Sequence, residues 1–172
     1  MQGAIGSGFR ELLNFSGRTS RGQFWPYCGV VLGLAFAAKA ALFTVVIGGA
    51  AASDDPNTFP SFTGLVWGVI VWGGAAIFLL AAAVTRRLHD TGRSGWWGLL
   101  PLPFVLAGLF LMMSFANQIL EAEEPDMTHF AILFGNNVVY LAALGFLIYL
   151  LARSGEKQDN RFGPSPLPSP LP

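Results

Sequence analysis

Four apolar runs set the limits on what this chain can become: Tyr27 to Ala52, Thr63 to Val84, Pro101 to Ala116 with an extension to Ile119, and Phe130 to Ala152. About 20 mostly apolar residues cross the hydrocarbon of a bilayer as a helix, and these runs have that length. A charged fraction of only 12% beside 53% hydrophobic residues, against about 25% charged in soluble domains, rules out a single water-soluble core. The expected fold is an all-α membrane protein, a four-transmembrane-helix bundle. One domain covers residues 1–166, with spans at about 27–52, 63–84, 101–119 and 130–152.

The charges are unevenly placed. Arg10, Arg18 and Arg21 precede the first run, Arg86, Arg87 and Arg93 separate the second from the third, and Arg153, Lys157 and Arg161 follow the fourth. The two remaining loops hold only acids: Asp54 and Asp55, then Glu121, Glu123, Glu124 and Asp126. Lys and Arg are retained on the cytoplasmic side, so both termini and the Arg86 to Arg93 loop are expected inside. Ala50-Ala51-Ala52 resembles a signal-peptide cleavage site, but the run before it far exceeds the roughly 7–15 residues of a signal core and is read as a span. The single Cys28 excludes an internal disulfide and argues against a cysteine metal site.

Local signals refine this picture. Ile5, Phe9, Leu12 and Leu13 recur at helical spacing and suit a short N-terminal amphipathic helix on the inner membrane surface. Ser20-Arg-Gly-Gln23 fits a capping box, and Pro26 predicts a kink or restart soon after. Ser94 reads as an N-cap leading into Gly95-Trp-Trp-Gly, interrupted by Pro101 and Pro103. Trp25, Trp96 and Trp97 then fall at the inner boundary, where indoles anchor. Gly29, Gly33, Ala37 and Ala41 repeat every fourth residue; such stripes allow close helix approach. Packing within one chain is the favoured use, a homo-oligomer the other. The final stretch, with Leu167 to Pro172 as its Pro-rich end, reads as a flexible extended tail.

The loop between the second and third spans carries the densest chemistry: Arg86, Arg87, His89, Asp90, Arg93, Ser94, Trp96 and Trp97. His89 and Asp90 are not a dyad, because helical neighbours point about 100 degrees apart and only residues three or four apart face each other. Arg86 with Asp90, and Asp90 with Arg93, have better spacing. Asp90 also falls at a helix C-terminus, where the macrodipole disfavours an anion, so a cation must offset it. Three readings stay open: a structural ion-pair cluster, an anion or lipid-headgroup site using the free amides of Gly92 to Gly95 with Arg18, Arg21 and Arg161 nearby, and catalysis by His89.

Lys39 is the other singular residue. It lies near the centre of the first span, no acid occurs within any span, and Asn136 and Asn137 of the fourth span are the nearest candidate acceptors. A lysine kept neutral or hydrated by the asparagines, and a route for ions or protons, are both readings of this intramembrane polar set. His89 and His129 belong to opposite faces of the membrane, and no nucleotide-binding motif is present, so neither metal nor cofactor is expected.

Three blocks, Gly17-Arg-Thr-Ser-Arg-Gly-Gln-Phe-Trp25, Arg87-Leu-His-Asp-Thr-Gly-Arg-Ser-Gly-Trp-Trp97 and Asn160-Arg-Phe-Gly-Pro-Ser-Pro166, together resemble the domain of unknown function 805 family of small bacterial inner-membrane proteins. The resemblance spans nearly the whole chain. It implies a multi-pass protein of the bacterial cytoplasmic membrane and brings no established activity and no catalytic residues. It also suggests that the three blocks converge on one face, as the charge distribution independently requires. The expected function is non-enzymatic: a scaffold or accessory protein whose basic inner face binds anionic lipid or a protein partner. A small channel or transporter built on Lys39 is the alternative, and an enzyme using His89 ranks third.

Overall fold

The computed structural model describes residues 2–52, 62–120 and 127–166. The acids Asp54, Asp55, Glu121, Glu123, Glu124 and Asp126 and the Leu167 to Pro172 tail lie outside them. The described chain forms α1 (Gln2–Arg10), α2 (Arg21–Ala51), α3 (Phe62–Asp90), a short 3₁₀ turn (Gly95–Leu99), α4 (Leu102–Leu120) and α5 (Met127–Ala152). Among the described residues four segments are long and apolar enough to cross a membrane: Arg21–Val45, Ile70–Asp90, Gly95–Gln118 and Met127–Ala152. The protein is an all-α, multi-pass membrane protein.

Helix ends follow their caps more than their hydropathy. α2 begins at Arg21, six residues before the apolar run, because the Gln23 and Phe24 amides reach the Ser20 carbonyl at 3.2 and 2.9 Å. Gln23 Oε1 accepts from the Ser20 amide at 3.3 Å, which is the Gln half of the capping box. Of the kink or restart expected at Pro26, the restart does not occur: α2 runs through it without interruption. A proline in the second turn removes a single amide bond, to the carbonyl of Gly22, and Gly22 is exposed.

The spans pair as two antiparallel hairpins. The Tyr27 hydroxyl of α2 donates to the Leu79 carbonyl of α3 at 2.8 Å, and a Cβ on Gly68 would lie 3.3 Å from Leu42. α4 and α5 are joined by the Asn136 amide donating to the Phe104 carbonyl at 3.0 Å and by a ring nitrogen of His129 3.2 Å from the Leu111 carbonyl. The hairpins meet at one end, where Phe24, Tyr27, Cys28 and Val31 of α2, Ala83 and Leu88 of α3, and Leu147, Leu150 and Leu151 of α5 form one buried cluster. We call this the arginine end. Away from it, side chains such as Leu34, Phe36, Phe43 and Phe110 face outward, as a lipid-solvated surface permits.

Among the described residues the small-residue stripe does not pack within the chain as expected. Gly29, Gly33, Ala37 and Ala41 are all exposed, and a Cβ on Gly29 or Gly33 would meet nothing within 4 Å. α2 turns its opposite side, carrying Phe24, Tyr27 and Val31, into the cluster.

α1 ends at Arg10, sooner than the apolar spacing suggested, and is docked on α2. The Phe9 ring meets Tyr27 edge-on at 5.3 Å, and Gly8 lies flush against the Tyr27 ring, so that a Cβ there would be 2.6 Å from its Cγ. Leu13 is left 73% exposed, on the same short segment. Gly8→Val should therefore undock α1 and cost about 1–3 kcal/mol, as overpacking does. Gly3→Val, where a Cβ meets nothing within 4 Å, should leave detergent-solubilised thermal stability unchanged; equal losses from the two would contradict this packing.

Candidate functional site

The final turn of α3 delivers Arg86, Arg87, His89 and Asp90 to the arginine end, and the way that helix stops decides which backbone amides remain open to a ligand. Gly92 takes φ 74°, a conformation costly for residues with a Cβ. Its amide donates to the His89 carbonyl at 3.0 Å, and the Arg93 amide reaches back to the Leu88 carbonyl at 3.0 Å. These two bonds form a Schellman cap. The Gly92 and Arg93 amides are consequently not free for an anion, contrary to the expectation for this stretch. Ser94 precedes the five-residue 3₁₀ turn and makes no side-chain cap bond.

Asp90 is the centre of the site. Its carboxylate is buried and accepts from Arg18 Nε at 3.1 Å and Arg18 Nη2 at 3.0 Å, while Arg87 Nη1 holds its other oxygen. The partners expected from spacing, Arg86 and Arg93, do not supply this contact. The Asp90 carbonyl accepts from the Glu156 amide at 2.8 Å. Gly155 lies against the carboxylate, where a Cβ would be 2.6 Å from Asp90 Cγ, so only a residue without a side chain lets the segment after α5 approach this closely.

Both guanidiniums are then completed by backbone oxygens. Arg18 Nη1 donates to Gln158 O at 2.7 Å and Gly163 O at 3.4 Å, and Nη2 to Glu156 O. Arg87, with 0% exposure, donates from Nε to Leu151 O at 2.9 Å and from Nη2 to Arg153 O, so it serves one carbonyl in the last turn of α5 and one just beyond the helix. Arg86, 4% exposed, ties the N-terminal segment: Nε to Thr19 Oγ1 at 3.1 Å, Nη1 to the carbonyls of Glu11 (2.8 Å) and Asn14, and Nη2 3.5 Å from the Glu11 carboxylate. The rigid, five-donor fork of arginine suits such multiple acceptors.

His89 points elsewhere, as helical geometry requires. Its Nδ1 lies 3.2 Å from Gly17 O, and its ring stacks on Phe162 with centroids 3.9 Å apart and planes 3° from parallel. Asn160 donates to the His89 carbonyl at 3.0 Å and to the Glu156 carboxylate at 2.7 Å, and the Thr19 amide donates to Arg86 O at 3.2 Å. The three sequence blocks thus meet in one polar cap. Sequence reasoning missed Glu11, Thr19 and Gly155; backbone acceptors carry no side-chain signature, and a glycine shows its close approach to a carboxylate only in the fold.

The remaining candidates lie around this cap or apart from it. Arg21 and Arg161 are exposed and their hydrogen bonds are long, 3.5 Å to Ala152 O and 3.5 Å to Gly92 O. Trp96, Trp97 and Trp25 are exposed, Trp97 packing edge-on against Phe146 at 5.9 Å. Lys39, Asn136 and Asn137 are not brought together as one site. Asn136 is bonded to α4, while Asn137 donates to Leu133 O of its own helix at 2.9 Å. The reason is topological: at their height α5 is paired with α4, and Lys39 belongs to α2, which is paired with α3.

Removing one member of a buried ion pair leaves the other charge uncompensated, at a cost of about 3–5 kcal/mol. Asp90→Asn should produce a loss of that size in unfolding experiments in detergent, because Arg18 and Arg87 both lose their anion. Arg93→Gln, beyond the cap, should change stability by less than about 0.5 kcal/mol. Comparable losses in the two variants would refute the assignment of Asp90 as the hub.

The model of a family described as protein of unknown function (DUF805) matches residues 12–164, which includes the first two blocks and the third as far as Pro164. No curated protein and no solved structure matches the chain.

Proposed function

Because the chain belongs to the DUF805 family, whose description assigns no activity, its role must be read from the arginine end, and we propose a non-enzymatic scaffold or accessory protein of the bacterial inner membrane. In this reading the arginine end and both termini face the cytoplasm, following the retention of Lys and Arg on that side, and its rim binds anionic lipid headgroups. Arg18, Arg86 and Arg87 are turned inward and engaged with the chain, so headgroup binding passes to the outer cations. These are Arg10, Arg21, Arg153, Lys157 and Arg161, all exposed, with half-buried Arg93.

The observation that carries the proposal is the outward exposure of these cations together with that of Trp25, Trp96 and Trp97. Arg153 stands 5.9 Å over the Tyr149 ring and Arg161 4.6 Å over Phe162, so aromatic faces orient both guanidiniums while leaving donors for phosphate. An anionic leaflet attracts such cations by about 1 kcal/mol each. His89, held by Gly17 O and Phe162, contributes to the cap in this reading and does not serve as a base.

Replacing Arg21, Arg93, Arg153 and Arg161 together with Gln should lower retention of anionic phospholipid by about fivefold per cation removed. Native mass spectrometry of protein released from nanodiscs containing anionic and zwitterionic lipid measures this. Zwitterionic lipid should be unaffected, and unchanged anionic retention would refute the proposal.

A further inference from the structure

The outward cation in the apolar part of the bundle points to a partner. Lys39 lies in the apolar stretch Arg21–Val45 of α2 and its side chain is exposed. It follows Tyr27, anchored in the arginine-end cluster, by 12 residues, or about 18 Å at 1.5 Å per residue. A further 12 residues of α2 extend to Ala51. In a hydrocarbon layer of about 30 Å, a side chain reaching about 6 Å carries its ammonium to neither headgroup layer. Charged groups at that depth face a partner or a water-filled path.

The described residues of this chain supply no partner. Among the described residues no hydrogen bond or ion pair reaches Lys39, and the asparagines at comparable height are bonded to α4 and to α5 itself. Elimination also covers a second copy. The ten acids are Glu11, Asp54, Asp55, Asp90, Glu121, Glu123, Glu124, Asp126, Glu156 and Asp159. None falls within a span's apolar interior, and Asp90 is held by Arg18 and Arg87. A homo-oligomer therefore brings no carboxylate to the level of Lys39.

We propose that α2 docks a transmembrane helix of a different protein through Lys39, and that this helix carries an Asp or Glu in the middle of its apolar segment. The ammonium and the carboxylate neutralise each other where neither is solvated. The inference concerns a different residue and depth from the headgroup rim, and it stands even if the rim binds no lipid.

The test uses the full chain in membranes of the cell that produces it, treated with a hydrophobic carbodiimide, which condenses an amine with an adjacent carboxylate to an amide with loss of water. The chain has two lysines, Lys39 and Lys157, so peptide mapping assigns the product without ambiguity, and reaction at Lys157 checks the reagent. The expected product joins Lys39 to an Asp or Glu inside an apolar segment of another protein. Lys39→Arg, which keeps the charge and removes the amine, should abolish the crosslink while retaining co-purification of that protein. Lys39→Leu should abolish both, with at least a tenfold loss of the co-purified protein. Leucine is the better membrane residue, so that loss would not reflect unfolding. An unmodified Lys39, a crosslink only to Asp54 or Asp55 of a second copy, an adduct on lipid phosphate, or full retention of the partner by Lys39→Leu would each overturn the proposal.

Discussion

The carboxylate of Asp90, buried between the guanidiniums of Arg18 and Arg87, is the interaction on which the arrangement of this protein rests. It joins the segment before α2, the end of α3 and, through the carbonyls that complete both arginines, the segment after α5. A buried ion pair gains little over apolar packing of equal volume, yet is costly to break. Its value here is registry. Three segments far apart in the chain meet there, each supplying donors or acceptors that the others complete.

That constraint explains where the bundle is tightly packed. Lipid removes the hydrophobic drive between helices, leaving packing and polar bonds to hold them. The buried cluster of Phe24, Tyr27, Leu88, Leu147, Leu150 and Leu151 sits directly beside the polar cap, and cap and cluster together tie the two hairpins. The cap also resolves two local problems at helix ends. Arg87 serves one carbonyl in the last turn of α5 and one just beyond it, and the two guanidiniums offset an anion at the C-terminus of α3, where the macrodipole opposes it.

Much of this was legible in the residues. Run lengths give the four spans, and the order of the arginine blocks anticipates their convergence at one end. Helical spacing also separates His89 from Asp90. What spacing could not reveal is which arginine reaches Asp90: Arg86 stands four residues away, but its own direction on α3 takes it to Glu11 and Thr19, while Arg18 arrives from a remote segment. Carbonyl acceptors leave no trace in side-chain chemistry, so the residues alone leave Arg86 and Arg87 open to an ion-pair cluster or to lipid headgroups, whereas in the fold they are internal cross-links. The Gly92–Arg93 amides looked free because a Schellman cap and an anion cradle share the same glycine signature. The stripe on α2 and Lys39 on another face of it are features left without a partner among the described residues.

A double-mutant cycle between Arg18 and Asp90 tests the hub most directly. Unfolding free energies of Arg18→Met, Asp90→Leu and the double variant would be measured in one detergent at one pH. If the carboxylate and guanidinium are a buried pair, each single change is costly and the double variant recovers part of the loss, giving an interaction energy of at least about 1 kcal/mol, within the roughly 0.5–3 kcal/mol seen for contacting residues. Additive losses, with coupling within about 0.5 kcal/mol of zero, would mean that the two residues act independently and that the cap is not organised by Asp90.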